Sequence, residues 1–200
     1  MTKRFALIAT VSMLVLILSA CSNYQFKATT NFELDNFNVQ DHRGNPVSLD
    51  DLKGEPWLAM FIYTNCADIC PPMTYNMKMI QDELIEKGIE DYKIVAFTVD
   101  PNKDSADVLT NYLKNYGVAD ESKWYLLNGY DPKFIEQYAK SSFKTAVVAQ
   151  TEFPIHANTF FLVDQNGVAV KNYNGVQSGN TEVPYDTIVT DLEALIKQGK

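Results

Sequence analysis

Basic residues are scarce in this chain, and the few that it has are scattered. The 200 residues include 17 lysines and arginines against 25 aspartates and glutamates, which gives a net charge of −8. No basic stripe interrupts this negative excess, and a surface of this sign repels the phosphates of nucleic acids and anionic lipid headgroups. The composition therefore argues against nucleic acid as a partner.

Long apolar runs are also missing, apart from one near the N-terminus. Residues 5–18 are mostly apolar and follow two basic residues, which suits the core of a signal peptide and is short for a transmembrane helix. The run ends in Leu-Ser-Ala-Cys at 18–21, which resembles a bacterial lipobox, where cleavage precedes the cysteine and the thiol is acylated. We therefore predict a lipoprotein signal peptide at 1–20, lipidation of Cys21, and a location at the extracytoplasmic face of a bacterial cell membrane. An uncleaved membrane anchor is the alternative.

Cysteine is nearly absent. The chain has three cysteines, and lipidation of Cys21 would leave only Cys66 and Cys70 as thiols in an oxidising compartment. A disulfide between cysteines so close in sequence closes a short loop and removes little chain entropy, so it would stabilise the domain only weakly. The pair is therefore predicted to carry chemistry.

Hydrophobic patterns predict one α/β domain at 32–200, preceded by a polar linker at 21–31. Continuous apolar runs at 57–63 and 94–99 are typical of strands buried on both faces. The order of elements is an N-terminal β-hairpin followed by β-α-β-α-β-α-β-β-α, which predicts a thioredoxin-like fold with a central, mostly parallel sheet and helices on both faces. The remaining predicted strands are 32–39, 47–49, 124–127, 159–163 and 168–172, with helices at 74–86, 105–116, 133–140 and 186–197.

Cys66 and Cys70 lie between the first buried strand and the helix after it. Ligands in open α/β sheets bind at the carboxyl ends of strands, and the positive end of a helix favours thiolate over thiol. Pro71 and Pro72 predict that both cysteines lie on a stiff turn just ahead of the helix. If that turn is nearly helical, the two Cβ atoms lie about 5–6 Å apart. A relaxed disulfide needs roughly 3.5–4.5 Å, so the spacing favours a shared metal ion without excluding a disulfide.

Histidine is even scarcer, with two in the chain. We interpret His42, in a polar turn, as a solvated loop residue. His156 comes just before the strand at 159–163, at the sheet end where the Cys66 strand also finishes, although a lone histidine there is also compatible with a structural role. Two thiolates and one imidazole are fewer ligands than structural zinc uses, and they are soft enough to select copper, above all Cu(I).

Four segments in order along the chain resemble the SCO/SenC family, whose members help to assemble the binuclear copper site of cytochrome c oxidase. The segments are 61–71, 98–112, 124–129 and 156–167. The resemblance implies that Cys66, Cys70 and His156 bind copper, as Cu(I) or Cu(II), and that the partner is the copper-bearing subunit of the oxidase. Ala67, Asn128 and Ala157 depart from the family's pattern, and none of them is an implied ligand.

Two acidic residues lie near the predicted ligands in sequence. Asp68 stands between the two cysteines, and Asp100 follows the second buried strand. We predict that they orient His156 or tune the charge on the thiolates. A role as solvated acids is the equal alternative.

Two enzymatic functions compete with a copper metallochaperone. A thiol–disulfide oxidoreductase would use Cys66 and Cys70 as a redox pair to keep the copper-site cysteines of the oxidase subunit reduced. Against it, Asn158 stands where reductases of this fold carry a cis-proline. A thiol peroxidase needs a cation beside its cysteine, and the only arginines are Arg4 and Arg43. The sequence favours the metallochaperone and leaves disulfide exchange open.

Overall fold

The computed structural model describes residues 24–199, so the predictions for residues 1–20 and for Cys21 lie outside the described residues. The strands are β1 (Phe32–Glu33), β2 (Asn38–Asp41), β3 (Pro46–Ser48), β4 (Trp57–Ile62), β5 (Lys93–Thr98), β6 (Trp124–Asn128), β7 (Thr159–Val163) and β8 (Val168–Asn174). The helices are α1 (Leu49–Leu52), α2 (Cys70–Glu86), α3 (Ala106–Tyr116), α4 (Pro132–Ser142) and α5 (Tyr185–Gly199). None of these helices is long and apolar enough to cross a membrane.

One sheet carries all eight strands in the order β1-β8-β7-β4-β5-β6-β2-β3. Its centre is parallel, because α2 connects β4 to β5 and α3 connects β5 to β6. The pairings outside this centre are antiparallel. The predicted thioredoxin-like α/β fold is confirmed.

The central strand β4 explains why helices cover both faces. All of its side chains are buried, and side chains alternate across a strand. Leu58, Met60 and Ile62 pack with α2, α3 and α5. The alternate side chains, from Trp57 to Phe61, pack with α1 and α4. Two apolar layers therefore hold the carboxyl end of β4 in a fixed place.

The N-terminal hairpin is built from β2 and β3, and its first strand is shorter than predicted. The predicted strand at 32–39 is divided, because β1 pairs with β8 at the opposite edge of the sheet. Asp35 and Asn36 lie between the two pieces, and residues of these types disfavour a continuous strand.

The segment before β1 lies on the surface of the domain. The Tyr24 hydroxyl donates a hydrogen bond to the buried carboxylate of Asp191 on α5. The N–H groups of Thr29 and Thr30 both donate to the carbonyl of Val170 on β8, at 2.9 and 3.0 Å. The predicted linker is therefore attached to the domain from Tyr24 onward.

The interpretation of His42 as a solvated loop residue is wrong. Its side chain is 4% exposed, and its Nδ1 accepts a hydrogen bond from the N–H of Leu126 at 3.3 Å. Its carbonyl accepts a further bond from the hydroxyl of Thr110. The turn therefore folds back over β6 and α3, which a local pattern does not reveal.

The buried His42 should make the free energy of unfolding fall as the pH drops below about 6.5. Burial and the charge of Arg43 lower the pKa of His42, against smaller opposing effects of Asp41 and Glu121. The unfolded chain therefore takes up a proton at a pH where the folded chain does not. His42→Asn keeps an acceptor for the Leu126 N–H. It should reduce the loss of stability between pH 6.5 and 5 by up to about 1.4 kcal/mol per pH unit.

Urea unfolding of both proteins across this pH range measures the difference. His156 contributes equally to the two proteins and cancels. Equal slopes in the native protein and the variant would contradict the assignment to His42.

Candidate metal centre

The topology of the sheet brings the predicted ligands to one place. β7 runs antiparallel to β4, with Phe161 opposite Ala59, so the start of β7 lies beside the end of β4. Cys66 and Cys70 follow β4, and His156 precedes β7. The chain therefore delivers two sulfurs and an imidazole to the same end of the sheet, as predicted.

The three side chains converge. The Sγ atoms of Cys66 and Cys70 and a ring nitrogen of His156 all lie within 4.8 Å of one another. Cys70 Sγ is 3.1 Å from His156 Nε2, and both cysteines are free thiols. A metal ion with bonds of about 2.3 Å spans roughly 4.6 Å between two ligands, so these three atoms need to move little to hold one ion. Within residues 24–199 no other group of His, Cys, Asp or Glu side chains is arranged in this way.

The helix begins four residues earlier than predicted, because Cys70 is its first residue, so the prediction that both cysteines precede the helix is wrong for Cys70. Pro71 and Pro72 follow it in the first turn, where a backbone N–H has no partner within the helix, so proline is tolerated there. Cys66 remains on the turn ahead, and the Cys70 N–H donates to its sulfur at 3.4 Å. The positive end of α2 therefore points at Cys66.

The pKa values of the two thiols are shifted in opposite directions. Burial raises the pKa of Cys66, but hydrogen bonds from Cys70, the Asp68 N–H and the Tyr63 side chain outweigh it and lower that pKa overall. Tyr63 has its own pKa raised to about 12, by burial first and then by its hydrogen bond to Cys66. Burial and the neighbouring Cys66 raise the pKa of Cys70 well above its usual range. In the reduced protein Cys66 therefore gives up its proton more readily than Cys70.

The imidazole of His156 is neutral and oriented. It is 7% exposed, and burial lowers its pKa despite the opposing effect of the Ala157 carbonyl. Its Nδ1 lies 3.0 Å from that carbonyl oxygen. A carbonyl only accepts hydrogen bonds, so Nδ1 carries the proton and Nε2 presents its lone pair towards Cys70.

The two predicted acidic residues lie at different places around the site. Asp68 is exposed, and its backbone N–H, not its carboxylate, bonds a cysteine sulfur. Asp100 is buried and forms an ion pair with Lys103 at 3.0 Å. The group that orients His156 is the Ala157 carbonyl, which accepts a hydrogen bond from Nδ1, whereas the prediction was that the carboxylate of Asp68 or Asp100 orients the ring. A role of Asp68 and Asp100 in tuning the thiolates stays a prediction.

Asp104 is a residue of this region to which the sequence analysis assigned no role. It is 1% exposed and accepts hydrogen bonds from the N–H and hydroxyl of Thr64, at 3.2 and 2.5 Å. It also accepts one from the hydroxyl of Thr98. The carboxylate therefore ties the loop that leaves β4 to the end of β5, two residues before Cys66. Its position within the family-like segment 98–112 was the only available signal.

Known proteins are similar to this chain along most of its length. The family model described as SCO1/SenC matches residues 27–193. The SCO1 protein homolog of Bacillus subtilis (strain 168) is 40% identical over 188 residues, which cover 92% of this chain and 94% of that protein.

Two solved structures extend the similarity to three dimensions. A SCO1/SenC family lipoprotein from Bacillus anthracis str. Ames has a TM-score of 0.79 and 34% identity, over 86% of this chain and 99% of that one. BsSco is described as a member of the Sco family of cytochrome c oxidase assembly proteins with a disulfide switch. It has a TM-score of 0.76 and 39% identity, over 86% of this chain and 98% of that one.

Removing the Asp104 carboxylate should weaken the whole domain. Asp104→Ala leaves the Thr64 N–H and two hydroxyls without their acceptor, so we expect a loss of about 2–4 kcal/mol in the free energy of unfolding. Asp104→Asn keeps one acceptor oxygen and should lose less. Urea unfolding measures both, with Asp107→Ala, an exposed acid on α3, as the control. A loss for Asp104→Ala no larger than for the control would show that the carboxylate does not anchor the loop.

Cys66 should react with iodoacetamide at least about tenfold faster than Cys70, because the thiolate is the nucleophile and Cys70 is fully buried. The rates are measured separately in Cys70→Ser and Cys66→Ser, each reduced and metal-free. The alkylation rate of each cysteine should rise with pH, and the rise for Cys66 should occur at a lower pH than the rise for Cys70. Equal rates in the two variants would contradict the assignment of Cys66 as the more acidic and more accessible thiol.

Proposed function

The chain belongs to the SCO1/SenC family, and from this premise we propose that it binds copper through Cys66, Cys70 and His156 and assists assembly of the binuclear copper site of cytochrome c oxidase. The observation that carries this proposal is the convergence of two thiols and a neutral imidazole within 4.8 Å. Thiolate and imidazole suit copper, and thiolate favours Cu(I). Three protein ligands leave the set open, unlike structural zinc.

The local chemistry defines what each ligand does in this proposal. Cys66, the more acidic of the two thiols, accepts the ion first, and Cys70 loses its proton as the second sulfur binds, so copper uptake is coupled to proton release. His156 contributes Nε2, which its Nδ1–H···O contact leaves free. Copper is cargo here, passed on to the copper-bearing subunit of the oxidase.

Redox chemistry of the same sulfurs supports a coupling between copper binding and oxidation state. Cys66 and Cys70 can pass two electrons, with the protons that their sulfurs still carry, to a disulfide of a partner, which is reduced to two thiols. The disulfide that forms between them no longer offers thiolates and releases the metal. The disulfide switch described for BsSco supports this role for the pair. Exchange with cysteines of the oxidase subunit is therefore the alternative function.

The location of the protein is part of the proposal. We propose that the domain is held at the extracytoplasmic face of the membrane through lipid on Cys21. The lipobox-like residues 18–21 support this, as does the description of the B. anthracis protein as a lipoprotein. Two or more acyl chains on the N-terminal cysteine would anchor the domain stably, whereas one would not.

Copper should stabilise only the reduced protein. At free Cu(I) about 100 times the dissociation constant, the gain should be about 2.7 kcal/mol in the free energy of unfolding, with a matching rise in the unfolding temperature. The disulfide form should hardly change. Thermal unfolding with and without copper, in both redox states, measures this. An equal shift in both states would contradict the proposed ligands.

Three variants separate the proposal from its alternative. Cys66→Ala and Cys70→Ala should lose both tight Cu(I) binding and disulfide exchange. His156→Ala should lose tight copper binding and keep most of the exchange rate. If His156→Ala binds copper as tightly as the native protein, the thiol–disulfide oxidoreductase becomes the better description.

A further inference from the structure

His156 reaches the site from a different part of the chain than the two sulfurs. It belongs to the segment at 143–158, between α4 and β7. The backbone is anchored on both sides of it, by the bridge between Val148 and Ile155 and by the Gly175 N–H, which donates to Asn158 at 2.7 Å. These anchors place the backbone, but the ring still rotates about its own bonds. The direction of Nε2 therefore depends on contacts of the side chain.

Three side-chain contacts of His156 are resolved in the part of the chain that the structure describes. Its Nδ1 contacts the Ala157 carbonyl, its Nε2 contacts Cys70 Sγ, and its ring packs edge-on against the ring of Tyr63. Ala157 belongs to the same segment, so it cannot hold the ring towards the cysteines. The contact with Cys70 uses Nε2, the nitrogen that would bind the metal, so a bound ion would replace this contact. Formation of a disulfide would also weaken it, because the Cys70 thiol would lose its proton. The ring contact with Tyr63 uses neither nitrogen of His156.

Tyr63 is well placed for this role because it adjoins both sulfurs as well. It follows β4 directly, its N–H donates to Cys70 Sγ at 3.5 Å, and its carbonyl accepts from the Cys66 N–H at 3.3 Å. Any residue at this position can make those backbone contacts. The ring is different: it packs against both apolar layers and meets the imidazole at 90°, with ring centroids 6.0 Å apart. The core therefore holds an aromatic surface in place beside His156.

We propose that Tyr63 is a positioning residue, whose aromatic ring keeps the Nε2 of His156 directed at the two sulfurs whether or not Cys70 Sγ is in contact with it. The inference rests on the proposed copper function. An edge-to-face ring pair stabilises its geometry beyond simple burial. The Tyr63 hydroxyl bonds Cys66, whereas the ring meets His156, so the ring and not the hydroxyl should orient the imidazole.

Cu(I) affinity, measured in competition with bathocuproine disulfonate, tests the proposal in the reduced protein. Tyr63→Leu should weaken binding about twofold to tenfold, and Tyr63→Phe, which keeps the ring and loses only the hydroxyl's hydrogen bond to Cys66, should lose clearly less. Tyr75→Leu is the matched control, because Tyr75 is 54% exposed and has no contact with the three ligands. Full affinity in Tyr63→Leu would overturn the proposal, as would a loss in Tyr63→Phe as large as in Tyr63→Leu.

A double-mutant cycle shows whether Tyr63 acts through His156 or through the fold in general. Tyr63→Leu and Tyr63→Phe both lack the hydroxyl that bonds Cys66, so the difference between them reports the ring alone. In a His156→Ala background this difference in Cu(I) affinity should vanish, because the imidazole that the ring positions is gone. A difference of the same size in both backgrounds would overturn the proposal.

A metal-free measurement keeps the test decisive even if Tyr63→Leu does not fold. Nuclear Overhauser effects between the rings of Tyr63 and His156 should appear in the reduced native protein. They should persist in Tyr63→Phe and after oxidation of Cys66 and Cys70 to the disulfide. Their disappearance on oxidation would overturn the proposal. A native protein that shows these effects and yet fails to bind Cu(I) would instead contradict the proposed function.

Discussion

The antiparallel pairing of β4 with β7 is the constraint on which the metal centre depends. Cys70 and His156 are 86 positions apart, so no local preference can bring them together, and their meeting is set by where the two strands end. The register that places Leu58 opposite Leu162 buries both. A slip of one residue would turn every side chain of β7 to the other face of the sheet. The geometry of the site is therefore protected by the cost of rearranging the core.

Burial then divides the chemistry between the two sulfurs. Cys66 keeps a small opening to solvent and receives the N–H groups at the start of α2, whereas Cys70 lies fully inside. Their pKa values shift in opposite directions because Cys66 accepts more hydrogen bonds and Cys70 is more deeply buried. Burial of an uncompensated charge at Cys70 is unfavourable, and a bound cation supplies the compensation that water does not. The same burial that makes Cys70 a poor thiolate alone therefore makes it a ligand once a metal is present.

Strong local patterns predicted the centre of the fold and the three converging side chains. The apolar runs of β4 and β5 identified strands buried on both faces, and the order of elements located Cys66, Cys70 and His156 at one end of the sheet. Features that depend on distant partners were not predictable in this way. β1 pairs with β8 across the sheet, and His42 is buried by a contact with Leu126, 84 positions away. A polar turn carries no mark of such a contact.

Within the site, Tyr63 and Asp104 are further residues whose roles depend on distant partners and could not be predicted from local patterns. Their contacts also explain why the site is organised before a metal binds. Each is a polar residue near a strand end, where local patterns predict exposure, and each gains its role from packing: Asp104 ties down the loop at Thr64, and Tyr63 lies against His156. A site held in this way loses little conformational freedom when an ion binds. Release then depends on a change in the sulfurs or on competing ligands from a partner, not on a large movement of the fold. Under the proposed copper function, the oxidation state of Cys66 and Cys70 is therefore one variable that controls release.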